Sequence, residues 1–236
     1  VASSGTSGGS RVDFLDGVVF GERESYLVLG TLVDEAPAGV ELSDYTGAGV
    51  YYLSLRERET DALTVHDYLW RWDSDWFWCS KAFGAQVPWV RRVRPARARR
   101  SDVYHRLVGL EQRFGIAARI DRARGLPPRE RVVQDVEVPV GRTADFLRWF
   151  LPNVPLAPVW LCPLRLRDSG GALGDLGPDV NPWPLYPLRT AQTWVNIGFW
   201  GLVPILPGRQ DGDVNRLIEN RVADFGGHKS LYSDAY

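Results

Sequence analysis

The feature that most constrains this chain is an alternating segment in its second half, "RVVQDVEVPV", residues 131–140. Val132, Gln134, Val136 and Val138 alternate with Val133, Asp135 and Glu137. Residues two apart on a strand share a face. One face of this strand is therefore apolar except for an amide, and the other carries two carboxylates. "TADFLRWFL" follows with helical spacing, Thr143 as its N-cap and Pro152 as its stop. "APVWLCPLRL" and "TWVNIGFWGLV" are short apolar runs rich in aromatic and branched side chains, which predicts strands at the centre of a sheet. "DVNRLIENRVADFGG" reads as a helix stopped by glycine.

The first half adds two strands, about 14–20 and 25–33, joined by the polar turn "GERE". "DEAPAGVELSDYTGAG" is a loop, and "VYYLSLRE" has the composition of a third strand. "TVHDYLWRWDSDWFWCSKAFG" concentrates large rings that contribute most when buried, around a core or lining a pocket. "SDVYHRLVGLEQRFGIAARIDRARG" is helical, with Ser101 or Asp102 as cap and Gly125 as stop. Residues 168–189 form a Gly/Pro-rich loop. This order predicts an α+β fold, an antiparallel β-sheet with helices packed on one face. The Ser/Gly-rich start reads as a linker over 1–11, leaving 12–236 as one domain. The chain contains no methionine, so it is expected to be a piece of a longer protein.

Several function classes are excluded by what is missing. No apolar run is long enough for a membrane-spanning helix. No G-x-G-x-x-G between strand and helix, no P-loop, no G-x-S-x-G and no H-E-x-x-H occurs. Cys79 and Cys162 are far apart, and His66, His105 and His228 are isolated, so no metal site is expected. The formal net charge of −1 gives no general attraction to nucleic acid. Arginines 91, 92, 94, 97, 99 and 100 form the strongest charge run. It reads either as a solvated segment around Pro95 or as a contact for phosphate or anionic lipid, hence a possible peripheral membrane contact.

Four stretches carry a family resemblance. "RVVQDVEVPV", "VWLCPLRL" and "FGGHKSLYSDAY" resemble the C-terminal half of the FAD-dependent Δ24-sterol reductases and their bacterial relatives, and "TVHDYLWRWDSDWFW" resembles the same family's aromatic stretch. The likeness runs from about Phe14 to Tyr236. It implies a flavoprotein of the vanillyl-alcohol-oxidase type, in which this chain is the substrate-binding cap domain and the FAD-binding domain is missing from it. The resemblance implies FAD as cofactor, NADPH as electron donor and a hydrophobic lipid as substrate. The reaction would be reduction of a carbon–carbon double bond, in a sterol side chain or a methylene-branched acyl chain. A cytoplasmic or membrane-associated protein is expected.

On this reading, Gln134, Cys162, Asn196 and Lys229 are the candidates to meet the flavin. Tyr232 is the candidate acid, with Asp234 beside it on an extended segment. Trp160, Trp194 and Trp72 are candidate walls of the lipid pocket. Each has a plainer alternative: Gln134 as a core amide bonded to backbone, and the segment after Gly226 and Gly227 as a solvated helix-exit loop. Two other functions stay open, a cap reused as a non-catalytic lipid- or protein-binding module, and an anionic-surface binder acting through the arginine run.

Overall fold

A computed structural model of the chain describes residues 5–7, 10–47, 49–166, 188–189 and 192–231. Its strands are β1 (Gly5–Ser7), β2 (Ser10–Val12), β3 (Phe14–Gly21), β4 (Glu24–Gly30), β5 (Arg129–Pro139), β6 (Val159–Leu164), β7 (Trp194–Pro204) and β8 (His228–Lys229). Its helices are α1 (Tyr51–Ser54), α2 (Val65–Trp70), α3 (Pro88–Val93), α4 (Ser101–Phe114), α5 (Ile116–Ala123), α6 (Thr143–Asn153) and α7 (Asp213–Asp224). They divide into two compact units, one of Val1–Leu32 with Pro127–Tyr236, the other of Val33–Leu126.

The first unit is built on a six-stranded antiparallel sheet in the order β4-β3-β6-β7-β5-β8. The apolar strands β6 and β7 are central, as their composition predicts. β5 and β7 pair without interruption from Arg129↔Pro204 to Pro139↔Trp194. This register puts Val132, Val136 and Val138 on the same side as Val195, Ile197, Phe199 and Val203, and all seven are buried. Helices α6 and α7 cover that side with Phe146 and Phe150, and with Val214, Ile218 and Val222. The rings of Phe150 and Phe199 lie 4.6 Å apart. Burying each such phenylalanine stabilises the unit by roughly 1.5–3 kcal/mol. The expected α+β architecture is therefore the one observed. A separate ribbon pairs β1 with β2 inside the stretch read as linker.

Local signals place the helices with small offsets. Arg142 occupies the N-cap position of α6. Thr143 is already helical, and its hydroxyl donates to the carbonyl of Pro139 at 3.2 Å. Pro152 sits inside the last turn rather than after it. The N-terminus of α7 is capped from the sheet. The Glu130 carboxylate accepts the backbone N–H groups of Val214 at 3.1 Å and Asn215 at 2.8 Å. Four N–H groups at a helix start lack partners within the helix, and a carboxylate satisfies two of them while facing the positive end of the dipole. Asn215 donates to Glu130 at 2.6 Å, and Gln134 donates to Asn215 at 2.6 Å. Glu130, Gln134 and Asn215 are each no more than 1% exposed.

The second unit is helical among its described residues. "VYYLSLRE" is not a strand: Tyr51 and Tyr52 start α1, and both are buried. Neighbours on a strand point to opposite faces; a helical turn lets both rings enter one aromatic core. Edge-to-face contacts link Tyr45 to Tyr51 at 5.3 Å, Tyr51 to Trp72 at 5.1 Å and Trp72 to Trp78 at 5.6 Å. A buried ion pair joins Arg91 to Asp75 at 3.7 Å. Arg91 also donates to the carbonyls of Gly49 and Ser74. Arg99 donates to the carbonyls of Gly47, Thr46, Arg91 and Arg94. Two members of the arginine run are thus internal staples rather than solvated charges. The predicted 101–125 helix is interrupted at Gly115, whose φ of 57° lies where a side chain would be strained, giving α4 and α5.

Candidate functional site

The side of the sheet away from α6 and α7 is the candidate site. The same register that sends Val136 and Ile197 to the helices sends their neighbours to this side. Cys162 stands opposite Asn196, Asn196 opposite Glu137, and Glu137 opposite His228. Directly opposed residues on antiparallel strands share a face with Cβ atoms about 4.5–5.5 Å apart. A polar row therefore crosses β6, β7, β5 and β8. One step along, Trp160 is paired with Gly198 and Gly198 with Asp135. Trp194 and Trp200 alternate onto the same side of β7.

The row is held from within. Glu137 is 0% exposed and accepts from Asn196 Nδ2 at 2.9 Å and from Ser230 Oγ at 2.6 Å. The backbone N–H of Ser230 donates to the Asp135 carbonyl at 2.9 Å, fixing the short β8 edge. The segment after Gly226 and Gly227 is thus strand through Lys229 rather than a solvated exit loop. Gly198 is required here: a Cβ on it would lie 2.5 Å from Asp135 Oδ1 and 2.8 Å from the Trp200 ring.

Electrostatics set the protonation states. Burial pushes the Cys162 thiol up, and the charges of Asp16 and Asp135 push it further. The thiol stays protonated and is a poor nucleophile. Burial lowers the His228 pKa, Glu137 opposes this, and Lys229 adds to it. The imidazole is held neutral near pH 7. With Asn196 Nδ2 committed to Glu137, Asn196 Oδ1 is buried and takes no hydrogen bond among the described residues. This side thus combines aromatic area with a buried amide oxygen that lacks a donor among the described residues. That suits a flat, apolar group carrying a hydrogen-bond donor.

The structure brings four of the sequence candidates together: Trp160, Cys162, Trp194 and Asn196. It sets two others on the opposite side. Gln134 points under α7, into the Glu130–Asn215 network. Lys229 pairs with Glu219 of α7 at 3.5 Å. Trp72 belongs to the second unit, where it packs among Tyr51, Phe77 and Trp78. Tyr232 and Asp234 lie outside the described residues. Sequence reasoning passed over Glu137, Asp135, Asp16, His228 and Ser230. The Val133–Asp135–Glu137 alternation carried the signal for two of these, since carboxylates on one face of a central strand require a reason to be there.

The geometry can be set beside known proteins. The chain is 29% identical over 115 residues to the Δ24-sterol reductase homolog dhcr-24 of Caenorhabditis elegans, covering 48% of this chain and 19% of that protein. It is 28% identical over 113 residues to the Δ24-sterol reductase of Rattus norvegicus and 27% identical over the same length to that of Homo sapiens, covering 48% of this chain and 20% of each relative. The aligned region is thus about a fifth of the length of these relatives. No family model matches the chain, and no solved structure does. The chain is a distant relative of Δ24-sterol reductases over about half its length. No helix among the described residues is long and apolar enough to cross a membrane. No group of three or more His, Cys, Asp or Glu among them could hold a metal ion.

Proposed function

We propose that this chain is the substrate-binding cap of an FAD-dependent oxidoreductase that reduces a carbon–carbon double bond in a hydrophobic lipid, with NADPH as donor. The substrate is a sterol Δ24 bond or a methylene-branched acyl chain. The observation that carries the reading is the two-sided sheet: helices α6 and α7 pack on one side, while the other gathers Trp160, Cys162, Trp194 and Asn196 on neighbouring strands. The likeness to Δ24-sterol reductases supplies the reaction class.

The residues fit a flavin in one respect that can be named: Asn196 Oδ1 needs a donor that the described residues do not supply. Asn196 and Cys162 would meet the ring, and Trp160 and Trp194 would wall the lipid. Bound FAD supplies hydride chemistry at this face. The chain's own part is to exclude water with tryptophans, keep the Cys162 thiol protonated and orient Asn196 through Glu137. A proton for the second alkene carbon comes from a protein acid; Tyr232 with Asp234 beside it is the candidate. Gln134 and Lys229 serve the fold in this reading, because their partners lie on α7.

The test uses the full-length protein that contains this chain. Purified, it should be yellow with flavin absorbance and should consume NADPH with one of the two lipids. Asn196→Leu should lower flavin occupancy or turnover at least tenfold with the fold retained. A colourless protein that still binds lipid would assign the non-catalytic module instead.

A further inference from the structure

The helical unit separates charge in a way that the whole-chain balance conceals. Residues 65–126 contain 13 Arg or Lys against six Asp or Glu, whereas the rest of the chain contains 15 against 23. Exposure sharpens the separation. Between Val65 and Leu126 the exposed charged residues are cations, and the most exposed carboxylate, Asp102 with 46% of its side chain exposed, lies between Arg100 and Arg106. Asp75 pairs with Arg91, and Asp102 meets Arg100 at 3.0 Å and Arg106 at 3.8 Å. Arg113, Arg119, Arg122 and Arg124 make no ion pair among the described residues.

The helices of this stretch also carry exposed apolar residues between their charges. On α4, Arg106, Leu110, Arg113 and Phe114 occupy one helical stripe, with Leu110 49% and Phe114 46% exposed. On α5, Ile116 and Ile120 are one turn apart and both exposed, with Arg119 between them, and no residue of that helix is buried. On α3, Trp89 is 69% and Val93 71% exposed, beside the exposed Arg92. Monomeric soluble proteins rarely leave contiguous apolar helix faces open to water.

We infer that α3, α4 and α5 form a docking surface for an anionic lipid bilayer. The charge complementarity chooses the sign of the occupant: the excess of exposed arginine over exposed carboxylate favours a negatively charged surface. The interleaved leucine, isoleucine, phenylalanine and tryptophan choose a bilayer over a soluble polyanion, because phosphate backbones give no return for exposed aliphatic groups. An amphipathic helix of this composition lies in the interface plane, its apolar side in the headgroup–acyl boundary and its arginines at the phosphates. The surface is not the arginine run as such, since Arg91 and Arg99 turn inward. The inference stands whether or not the sheet binds a flavin.

The chain should cosediment with phosphatidylcholine vesicles containing phosphatidylserine and not with pure phosphatidylcholine vesicles. The triple variant Arg113→Glu, Arg119→Glu, Arg122→Glu should lower partitioning at least about a hundredfold. Leu110→Ser with Ile120→Ser should lower it at least about tenfold with the charge unchanged. All five positions are exposed, and circular dichroism should show the fold retained. The inference is overturned by equal partitioning to charged and neutral vesicles, or by indifference to either variant. Binding to double-stranded DNA as tight as to charged vesicles, unaffected by the two serines, overturns it as well.

Discussion

The two units of this molecule bury polar groups in opposite ways. In the helical unit, Asp75 and Arg91 are each 1% exposed and joined to one another deep in an aromatic core. In the sheet unit, polar residues are sorted by strand parity: one set caps α7 from beneath, and the other lies on the side away from α6 and α7. The ion pair holds separate segments together, since Arg91 also reaches the carbonyls of Gly49 and Ser74. Burial raises the pKa of Asp75 despite Ser80, Arg91 and Gln86, and burial lowers that of Arg91 despite Asp75. Desolvation outweighs attraction on both partners, as expected for charges removed from water. The sheet's buried carboxylates Glu130 and Glu137 instead accept from amides, a hydroxyl and backbone N–H groups.

The largest expected effect follows from that contrast. Asp75→Ala strands a buried guanidinium and should destabilise the helical unit by about 3–5 kcal/mol. Chemical denaturation followed by near-ultraviolet circular dichroism would measure it. Adding Arg91→Leu should recover more than half of the loss, because the stranded charge is then gone. A double variant no better than the single one would show that the pair is needed for its hydrogen bonds rather than tolerated for its charge.

A smaller effect tests the sheet. Gly198→Ala brings a methyl group against Asp135 and Trp200 on the side away from α6 and α7 and should cost about 1–3 kcal/mol. The helix-covered core of the same strands is untouched by this change. The unfolding midpoint should drop while α6 and α7 keep their far-ultraviolet signal. An unchanged midpoint would mean that this face yields easily and is not a shaped surface.

How much of this was legible in the sequence also differs between the units. The period-two pattern of 131–138 fixed which residues of β5 share a face, and the same two-residue rule put Trp160 and Cys162 on one side of β6. The glycine stop of α7 and the central places of β6 and β7 followed from composition. The role of Gln134 did not, because its partner Asn215 is 81 residues away and the choice between helix and pocket depends on which side α7 covers. In the helical unit, Tyr51 and Tyr52 suggested a strand by propensity, but burial of adjacent rings required a turn of helix. The inward course of Arg91 and Arg99 depends on carbonyls from residues 46, 47 and 49, which no local pattern announces. The charge bias of 65–126 was readable by counting and was hidden by averaging over the chain.

The smallest effect is a pH dependence confined to the sheet unit. His228 faces Glu137 across β5 and neighbours Lys229 and Ser230 on its own segment. Its pKa in the folded state lies below the ordinary 6.5, chiefly through burial. Well above pH 6.5 the imidazole is neutral in folded and unfolded chains, and it adds no pH dependence. As the pH falls below that value, the unfolded chain takes up its proton first, so stability declines until the folded imidazole is protonated too. The unfolding midpoint should therefore fall between pH 7.5 and pH 5.5, and His228→Gln should flatten that interval. If His228→Gln keeps the full slope, the imidazole is not shielded from water, and the row from Cys162 to His228 is solvated at its β8 end.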